Sequence, residues 1–395
     1  MPILLIAIVA MLMQQTVATT AKVGLPALFP ALAGDLSFNA ELVLLYTWIY
    51  ALVSLAVMAG CGGMIRRFGA LRTSQIGCLF MGLGVAIAAG VPVAWIAIPI
   101  LGFAACLISV RSTVATPASS QILAAYAPQK WAPLIFSVKQ TGVPAGVAIS
   151  GLILVPLGVI FGWREALLGM AVLCVVMALV LQPVRRKFDE GRDPSARPRL
   201  QDFVDNIRDV LDQSEIRALA LAAFSFVGMQ AIYMNFTITY LYESLEFSLE
   251  QAGQIVGTAT CLAIPARVFW GWLGSTIVQP RTLMAILAVI MSTSVALMGA
   301  FNELWNTTFI VIVNCFVSLS VLSWHGVLLS EAARLAPAGE AGRITGGILA
   351  FGAIGQIVFP IIFGAGYWIG GYGLAFMIIA IPAAFVSMIF VPWRR

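Results

Sequence analysis

Four cationic side chains lie inside otherwise apolar stretches of this sequence, namely Lys22, Arg111, Lys139 and Arg267. No Asp or Glu in any of the apolar stretches is available to pair with them or to carry a proton. A charge at membrane depth is costly, so it faces a protein interior or a water-filled cavity and takes a partner there. Because no carboxylate is at hand, the chemistry that these residues suggest is the binding of an anionic small molecule.

The composition indicates what must hold these cations in place. Of the 395 residues, 61% are hydrophobic and only 10% are charged, and the mean hydropathy is +0.99. One soluble core could not bury so much apolar surface, so the sequence predicts an all-α integral membrane protein. The basic pI near 9.0 is typical of loops that face anionic lipid and requires no nucleic-acid partner.

Twelve apolar runs have about the length that a helix needs to cross roughly 30 Å of hydrocarbon. We predict membrane spans at 3–33, 42–65, 72–91, 94–123, 132–160, 164–184, 216–241, 251–275, 281–300, 304–330, 343–366 and 371–392. A polar stretch after the sixth span divides the chain into six-helix bundles at 1–184 and 216–395, joined by a cytoplasmic linker at 185–215. Apolar residues at helical spacing from Phe203 to Leu211 predict an amphipathic helix within this linker.

The remaining basic residues predict the orientation of the chain. With both termini in the cytoplasm, 17 of the 22 Lys and Arg residues fall in cytoplasmic segments, and only Arg164 falls outside. This asymmetry follows the positive-inside rule, which the opposite orientation would violate. We therefore expect a multi-pass, monomeric protein of a bacterial inner membrane.

The two predicted bundles resemble each other in sequence. A shift of 209 residues brings landmarks of four separate regions into register. The matched pairs are Leu36 with Leu245, Phe38 with Phe247, Glu41 with Glu250, Gly62 with Gly271, Arg72 with Arg281, Ala127 with Ala336, Pro128 with Pro337 and Gly146 with Gly355. A constant offset predicts two six-helix pseudo-repeats in the same orientation, an arrangement found in transporters with a binding site near the bilayer midplane.

Three segments resemble the major facilitator superfamily of secondary transporters, and the resemblance covers nearly the whole chain. The segments are Gly62-Gly-Met-Ile-Arg66-Arg67-Phe-Gly69-Ala-Leu-Arg72, its echo Arg267-Val-Phe-Trp-Gly271-Trp-Leu-Gly274, and Ser137-Val-Lys139-Gln140-Thr-Gly142-Val-Pro144-Ala-Gly146. The first is similar to the family's Gly-x-x-x-Asp-Arg-x-Gly-Arg-Arg loop, but Arg66 replaces the Asp. In the family that Asp is implied to latch the cytoplasmic side, so this chain must build the latch otherwise. Arg67 and Arg72 are either gate residues or arginines that set topology at the lipid headgroups.

The resemblance also implies that the first, second, fourth and fifth helices of each half line a central cavity. Lys22, Arg111 and Lys139 lie on three of these helices, so we expect them to contact an anionic substrate. The alternative for each is a structural role, and Lys139 could instead extend to the cytoplasmic interface. Neutral polar residues that could orient a ligand are Gln140, Tyr233, Asn235 and Gln356.

Other residues are expected to serve packing, gating or coupling. Arg267 precedes the second loop motif by one turn, which favours a packing or gating role over ligand binding. Gly142 and Gly146 have the small-xxx-small spacing that permits close helix contact. His325 is the single histidine, and its ordinary pKa near neutrality makes it a candidate for proton coupling, against the alternative of a hydrogen-bonded core residue.

These observations favour secondary transport of a small organic anion, a carboxylate, by an organic-anion branch of the family. Coupling would use His325, the protonatable substrate itself or a counter-anion. The alternative is efflux of hydrophobic or amphipathic compounds, which the abundance of Met, Phe and Trp favours. We expect no enzyme, metal or cofactor, because the sequence has one histidine, no Gly-x-Ser-x-Gly elbow and no phosphate-binding loop.

Overall fold

The computed structural model describes residues 2–37, 43–196, 200–302 and 304–391. Within those residues every regular element is a helix and none is a strand, so the all-α prediction is confirmed. The repeat landmarks Phe38 and Glu41 lie outside the described residues.

The first half of the chain forms eight helices. They are α1 at Pro2–Leu36, α2 at Val43–Phe68, α3 at Ala70–Ala89, α4 at Ala94–Tyr126, α5 at Ala132–Gln140, α6 at Gly142–Ile149, α7 at Val155–Phe161 and α8 at Trp163–Val180. A 3₁₀ turn at Gln129–Trp131 precedes α5, and a π-helical turn at Ser150–Leu154 joins α6 to α7. The predicted fifth span is therefore a series of short helices. Pro144 and Pro156 explain both interruptions, because neither has an N–H for the carbonyl four residues earlier.

The linker and the second half form nine further helices. They are α9 at Arg185–Phe188, α10 at Leu200–Asp212, α11 at Ser214–Ser244, α12 at Leu249–Cys261, α13 at Ala263–Thr276, α14 at Pro280–Gly299, α15 at Thr307–Val321, α16 at His325–Leu335 and α17 at Ala341–Phe390. The amphipathic linker helix expected around Phe203–Leu211 corresponds to α10. Pro265 accounts for the break between α12 and α13, since it cannot donate to the carbonyl of Cys261.

The number of membrane crossings depends on two interrupted helices. Ten helices of the described chain are long and apolar enough to cross a membrane, or eleven when the bent pair Trp48–Met58 and Gly60–Phe68 counts as one span. The 50 residues of α17 include Gly370 and Gly371, whose backbone is not helical, at the junction of the predicted eleventh and twelfth spans. A helix of that length would measure about 75 Å, more than twice the hydrocarbon thickness. The count of twelve stays a prediction.

The described chain divides into two compact units that each take a segment from the other half of the sequence. The first unit comprises Met1–Ala127, Lys139–Arg208 and Ala336–Gly347, and the second comprises Pro128–Val138, Asp209–Leu335 and Ile348–Arg395. We call Pro128–Val138 and Ala336–Gly347 the crossing segments. They begin 208 residues apart (336 minus 128) and end 209 residues apart (347 minus 138), in agreement with the repeat offset of 209. The boundaries predicted at 1–184, 185–215 and 216–395 stay a prediction.

Glycines set the distance between α6 and α1 in the first unit. A Cβ on Gly142 would lie 2.9 Å from the carbonyl oxygen of Leu12, and one on Gly146 would lie 2.6 Å from that of Thr16. The hydroxyl of Thr20 donates to the carbonyl of Gly146 at 3.2 Å. Such close contact is the packing that small-xxx-small spacing permits. It brings the end of α5 next to the middle of α1, where the buried cations lie.

Candidate functional site

Arg111 on α4 is fully buried in the first unit, where it contacts α1 and α3. Its Nε donates to Cys78 Sγ at 3.1 Å, and its Nη2 donates to the main-chain and side-chain oxygens of Gln14 at 3.4 and 3.3 Å. Gly77 leaves space for this side chain, because a Cβ there would lie 2.8 Å from Arg111 Cδ.

Arg111 and Gln14 also carry N–H donors that form no hydrogen bond within the described residues. Within the described part of the chain, neither Nη1 of Arg111 nor Nε2 of Gln14 has a hydrogen-bond partner. An unbonded buried donor costs about 1–3 kcal/mol, and more when the group is charged. Arg111 and Gln14 together therefore present N–H groups that an incoming acceptor, above all an anion, would satisfy.

Lys139 at the end of α5 is also buried in the first unit. Its Nζ donates to Oε1 of Gln15 at 2.8 Å and to Oε1 of Gln140 at 3.0 Å. Gln140, which the sequence suggested as a ligand contact, thus supplies an acceptor to Lys139. The side-chain oxygens of two neutral amides thus contact the ammonium of Lys139.

Two consecutive glutamines of α1 connect these cations. Gln14 bonds Arg111 and Gln15 bonds Lys139, so the two cations contact adjacent residues of one helix. We did not predict either glutamine, although a pair of amides in the apolar first span was a readable signal, since a buried amide needs hydrogen-bond partners.

Lys22 occupies a different environment from the other two cations. It is exposed, and its Nζ lies 5.2 Å from the ring centroid of Tyr50 on α2, a distance at which the ring attracts the ammonium. The hydroxyl of Tyr50 is hydrogen-bonded to Ser112 on α4. Seven residues separate Lys22 from Gln15, which is about 10 Å along α1. The expected site of three cations therefore consists of a buried pair and one exposed lysine.

The three remaining predicted ligand contacts belong to the second unit and do not form one buried group. Tyr233 on α11 is buried, and among the described residues its hydroxyl has no hydrogen-bond partner. Asn235 is exposed and donates from Nδ2 to the carbonyl of Ala231 at 2.7 Å. Gln356 on α17 is exposed. The second unit thus offers one buried phenol and two exposed amides.

Arg267 contacts a helix break in the second unit. The tenth predicted span is interrupted between α15 and α16, and Arg267 Nε donates to the carbonyl of Leu322 at this break, at 2.9 Å. A cation beside unsatisfied C-terminal carbonyls is favourable, which supports a structural role for Arg267. His325 begins α16, and its ring stacks on that of Trp324 with centroids 3.8 Å apart.

The linker holds the loop between α2 and α3. Both carboxylate oxygens of Asp189 accept N–H groups in the first turn of α3, from Leu71 at 2.8 Å and from Arg72 at 3.1 Å. Gly69 precedes this turn with φ of +91°, and a Cβ there would lie 2.3 Å from Asp189 Cγ. Burial raises the pKa of Asp189, while its two bonds to backbone N–H groups act in the opposite direction.

Two other residues of this loop, Arg66 and Gly62, lie close to the linker and to a crossing segment respectively. Arg66, in the position of the family's Asp, is exposed, and its carbonyl accepts the N–H of Asp193 at 2.8 Å. Arg67 Cζ lies 5.4 Å from the ring centroid of the residue that follows it. A Cβ on Gly62 would lie 2.6 Å from Cγ of Arg343.

Each crossing segment packs against small or amide side chains of its own unit. In the second unit, Ser137 is so close to Gly271 and Gly326 that a Cβ on either glycine would lie within 2.5 Å of a Ser137 side-chain atom. In the first unit, Gln121 Nε2 donates to the carbonyl of Gly339 at 2.6 Å, and the N–H of Gly342 donates to Gln121 Oε1 at 2.8 Å. Neither contact requires an acidic residue.

One expectation from the sequence is wrong, because the apolar helices do contain a buried carboxylate. The side chain of Glu331 in α16 is only 6% exposed, and it accepts hydrogen bonds from Arg334 Nη2 at 2.6 Å and Nε at 2.7 Å. The prediction ends the tenth span at residue 330, whereas the apolar helical region continues to Leu335. One further helical turn brings Glu331 into it.

Among the described residues, no group of three or more His, Cys, Asp or Glu side chains could hold a metal ion.

Comparisons with known proteins point to membrane transporters. The sequence profile of the Major Facilitator Superfamily matches residues 3–360. Over 151 residues the chain is 30% identical to a Mycobacterium tuberculosis protein named "Probable nitrate/nitrite transporter NarK2", in strains CDC 1551 / Oshkosh and H37Rv. That alignment covers 37% of this chain and 36% of the relative, so the matched part is about a third of the relative's length.

Two solved structures share the fold over almost their whole length. A bacterial homologue of the iron transporter ferroportin, in an outward-facing state, has a TM-score of 0.77 at 12% identity, and the similarity covers 99% of each chain. The human organic anion transporter MFSD10 (TETRAN) has a TM-score of 0.76 at 14% identity, covering 98% of this chain and 99% of that one. At such low identities the likeness shows the fold alone.

Proposed function

We propose that this chain, which belongs to the Major Facilitator Superfamily, moves a small planar anion of the carboxylate class across the membrane by alternating access. Membership of the family makes it a membrane transporter and not an enzyme. The anionic substrate is the proposal.

Arg111 is the observation that carries this proposal. Its guanidinium is fully buried, Nη1 has no hydrogen-bond partner among the described residues, and its bonded groups meet only a thiol and the oxygens of Gln14. A guanidinium presents N–H groups in a planar fork that matches the oxygens of a carboxylate. We assign Nη1 of Arg111 and Nε2 of Gln14 as donors to the substrate, with Lys139 adding positive potential nearby.

The name of the M. tuberculosis relative also supports an anionic substrate. Nitrate, nitrite and carboxylates all present delocalised negative oxygens in one plane, which is the geometry that a guanidinium recognises. The relative aligns with only 37% of this chain, so nitrate enters as one of the anions to be tested and not as the assigned substrate.

Transport requires this buried pair to become accessible from each side in turn. We infer that the crossing segments form the cytoplasmic latch. Ser137 between Gly271 and Gly326, together with Gln121 on the backbone of 339–342, would take the place of the family's acidic latch residue. Release of both segments lets the two sequence halves rock, as expected of a parallel-repeat transporter.

Orientation and coupling complete the proposal. Both termini face the cytoplasm of a bacterial inner membrane, in accordance with the positive-inside rule, and the working unit is a monomer. Coupling uses the proton of His325, a proton carried by the substrate, or a counter-anion. Glu331 is an additional candidate that the sequence did not suggest, since it is buried and pairs with Arg334.

A ligand screen tests the proposal. Any solute that binds the folded state raises its apparent stability, so thermal melting of the purified protein is measured with acetate, succinate, nitrate, neutral sugars and organic cations. We expect stabilisation by the anions, its reduction in Arg111→Gln and its retention in Arg164→Gln, a matched change at an arginine that pairs with Asp35. Stabilisation by cations or by apolar compounds alone would contradict anion transport and favour the efflux alternative.

A further inference from the structure

A connected group of five hydroxyl side chains lies beside the exposed Lys22. We call it the hydroxyl cluster, and it consists of Tyr50 and Ser54 on α2 with Ser109, Ser112 and Thr113 on α4. Thr113 donates to Ser54 Oγ at 2.9 Å, Ser54 and Ser109 are joined at 2.8 Å, and Ser109 Oγ donates to the carbonyl of Tyr50 at 3.0 Å. Neither the sequence motifs nor the proposed function accounts for these residues.

Three members of the cluster are accessible to a polar ligand. The side chains of Tyr50, Ser54 and Ser112 are partly exposed, and Lys22 is exposed. An ammonium within a membrane span does not face hydrocarbon, because that would cost several kcal/mol, so the surface around Lys22 borders water. A solute that reaches Lys22 therefore also lies close to the ring of Tyr50, whose hydroxyl belongs to the cluster.

The direction of the hydrogen bonds decides what this surface can bind. When Ser112 donates its proton to the carbonyl of Ile108, at 3.0 Å, or of Ser109, at 3.1 Å, the Tyr50–Ser112 hydrogen bond uses the proton of Tyr50. Ser109 likewise donates to backbone, so Ser54 must donate to Ser109. The cluster has used its protons internally, and what it offers to a ligand is oxygen lone pairs. The donor beside it is Lys22.

We propose that Lys22 and the hydroxyl cluster bind a carboxylate that also carries a hydroxyl group. The carboxylate of the ligand accepts from Lys22 Nζ, and the ligand hydroxyl donates to the phenolic oxygen of Tyr50. A carboxylate without a hydroxyl has no proton to give to that oxygen. This inference rests on the proposed anion transport: the ligand binds Lys22 before it transfers to the Arg111–Gln14 pair, about 10 Å away along α1, and the hydroxyl cluster narrows the substrate class to hydroxylated carboxylates.

Matched ligand pairs test the inference on the full-length purified protein. Acetate is compared with glycolate, and succinate with malate, by titrating thermal melting to obtain apparent dissociation constants. One neutral hydrogen bond predicts that the wild-type protein binds the hydroxylated member about three- to tenfold more tightly. Tyr50→Phe removes the acceptor and brings the ratio close to one, while affinity for acetate and succinate is unchanged. Lys22→Gln weakens both members of a pair by the same factor.

Two further variants sharpen the result. Ser112→Ala frees the proton of Tyr50, which then donates to carboxylates, so acetate and succinate gain affinity and the ratio falls. Ser119→Ala is the control, because Ser119 is buried on the same helix and donates to the carbonyl of Thr116, and it leaves the ratio as in the wild type.

The outcomes separate this inference from the function on which it rests. Equal affinities within each pair for the wild-type protein, or a Tyr50→Phe variant that weakens both members alike, would overturn the hydroxyl inference and leave anion transport standing. If no anion stabilises the protein, both are overturned.

Discussion

Removal of the Asp189 carboxylate should loosen the start of α3 by an amount that hydrogen exchange can measure. This carboxylate accepts the N–H groups of Leu71 and Arg72, which have no acceptor within their own helix. Loss of an N-terminal cap costs about 0.5–2 kcal/mol. In Asp189→Ala the amides of these two residues should therefore exchange about 2- to 30-fold faster, at 1.4 kcal/mol for each factor of ten.

Exchange is followed by mass spectrometry on peptides that cover the α2–α3 loop, in the purified protein at constant pH. Glu190→Ala is the matched control, since Glu190 is the adjacent carboxylate and is exposed, and its peptide should exchange at the wild-type rate. Gly69→Ala should accelerate exchange at least as much as Asp189→Ala, because its Cβ would displace the carboxylate and φ of +91° strains any L-residue. Unchanged exchange in Asp189→Ala, or an equal change in Glu190→Ala, would refute the capping account.

Three other predictions follow from the described contacts. Burial raises the pKa of Asp189, so ionisation of its carboxyl lowers stability: this cost is absent below the pKa of the unfolded chain and is fully present above the folded pKa, where the capping hydrogen bonds offset part of it. pH-dependent melting should show wild type losing stability relative to Asp189→Asn over that interval, and a constant difference would contradict it. Gly146→Ala should destabilise the protein by about 1–3 kcal/mol, because the added Cβ would overpack against α1. Gly151→Ala is the control, since nothing lies within 4 Å of its Cβ position, and it should keep the wild-type melting temperature. Equal melting temperatures of the two variants would exclude the packing argument. Gln121→Leu removes two hydrogen bonds to the crossing segment Ala336–Gly347, so the amide hydrogen of Gly342 should exchange with solvent several-fold faster. An unchanged exchange rate would show that the latch does not depend on Gln121.

Much of the fold could be predicted because membrane helices leave a strong signal in sequence. Apolar runs of sufficient length and the resemblance of three motifs indicated an all-α transporter, which the family match and the helical structure confirm. Helix interruptions were harder to predict. Pro144 and Pro265 could have been read as breaks, but the interruption between α15 and α16 contains no proline, so local sequence gave no warning.

The surroundings of the cations could be predicted only in part. Sequence reasoning selected Arg111 and Lys139 because buried charge is costly, but it could not identify Gln14 and Gln15, whose contacts depend on how α4 and α5 pack on α1. Glu331 was missed because a span boundary moved by five residues. Span ends depend on depth in the bilayer and on tertiary contacts, which a hydropathy pattern does not fix.

The most direct test of the account is whether Arg111 is needed for carboxylate transport. The protein is reconstituted in proteoliposomes, and counterflow of radiolabelled succinate, malate and nitrate is measured for the wild type, Arg111→Gln and the control Arg164→Gln. Truncating one partner of a buried charge pair costs about 2–5 kcal/mol, so transport by Arg111→Gln should fall about thirtyfold or more while the control keeps the wild-type rate. Anion counterflow at the wild-type rate in a folded Arg111→Gln protein would contradict the central claim.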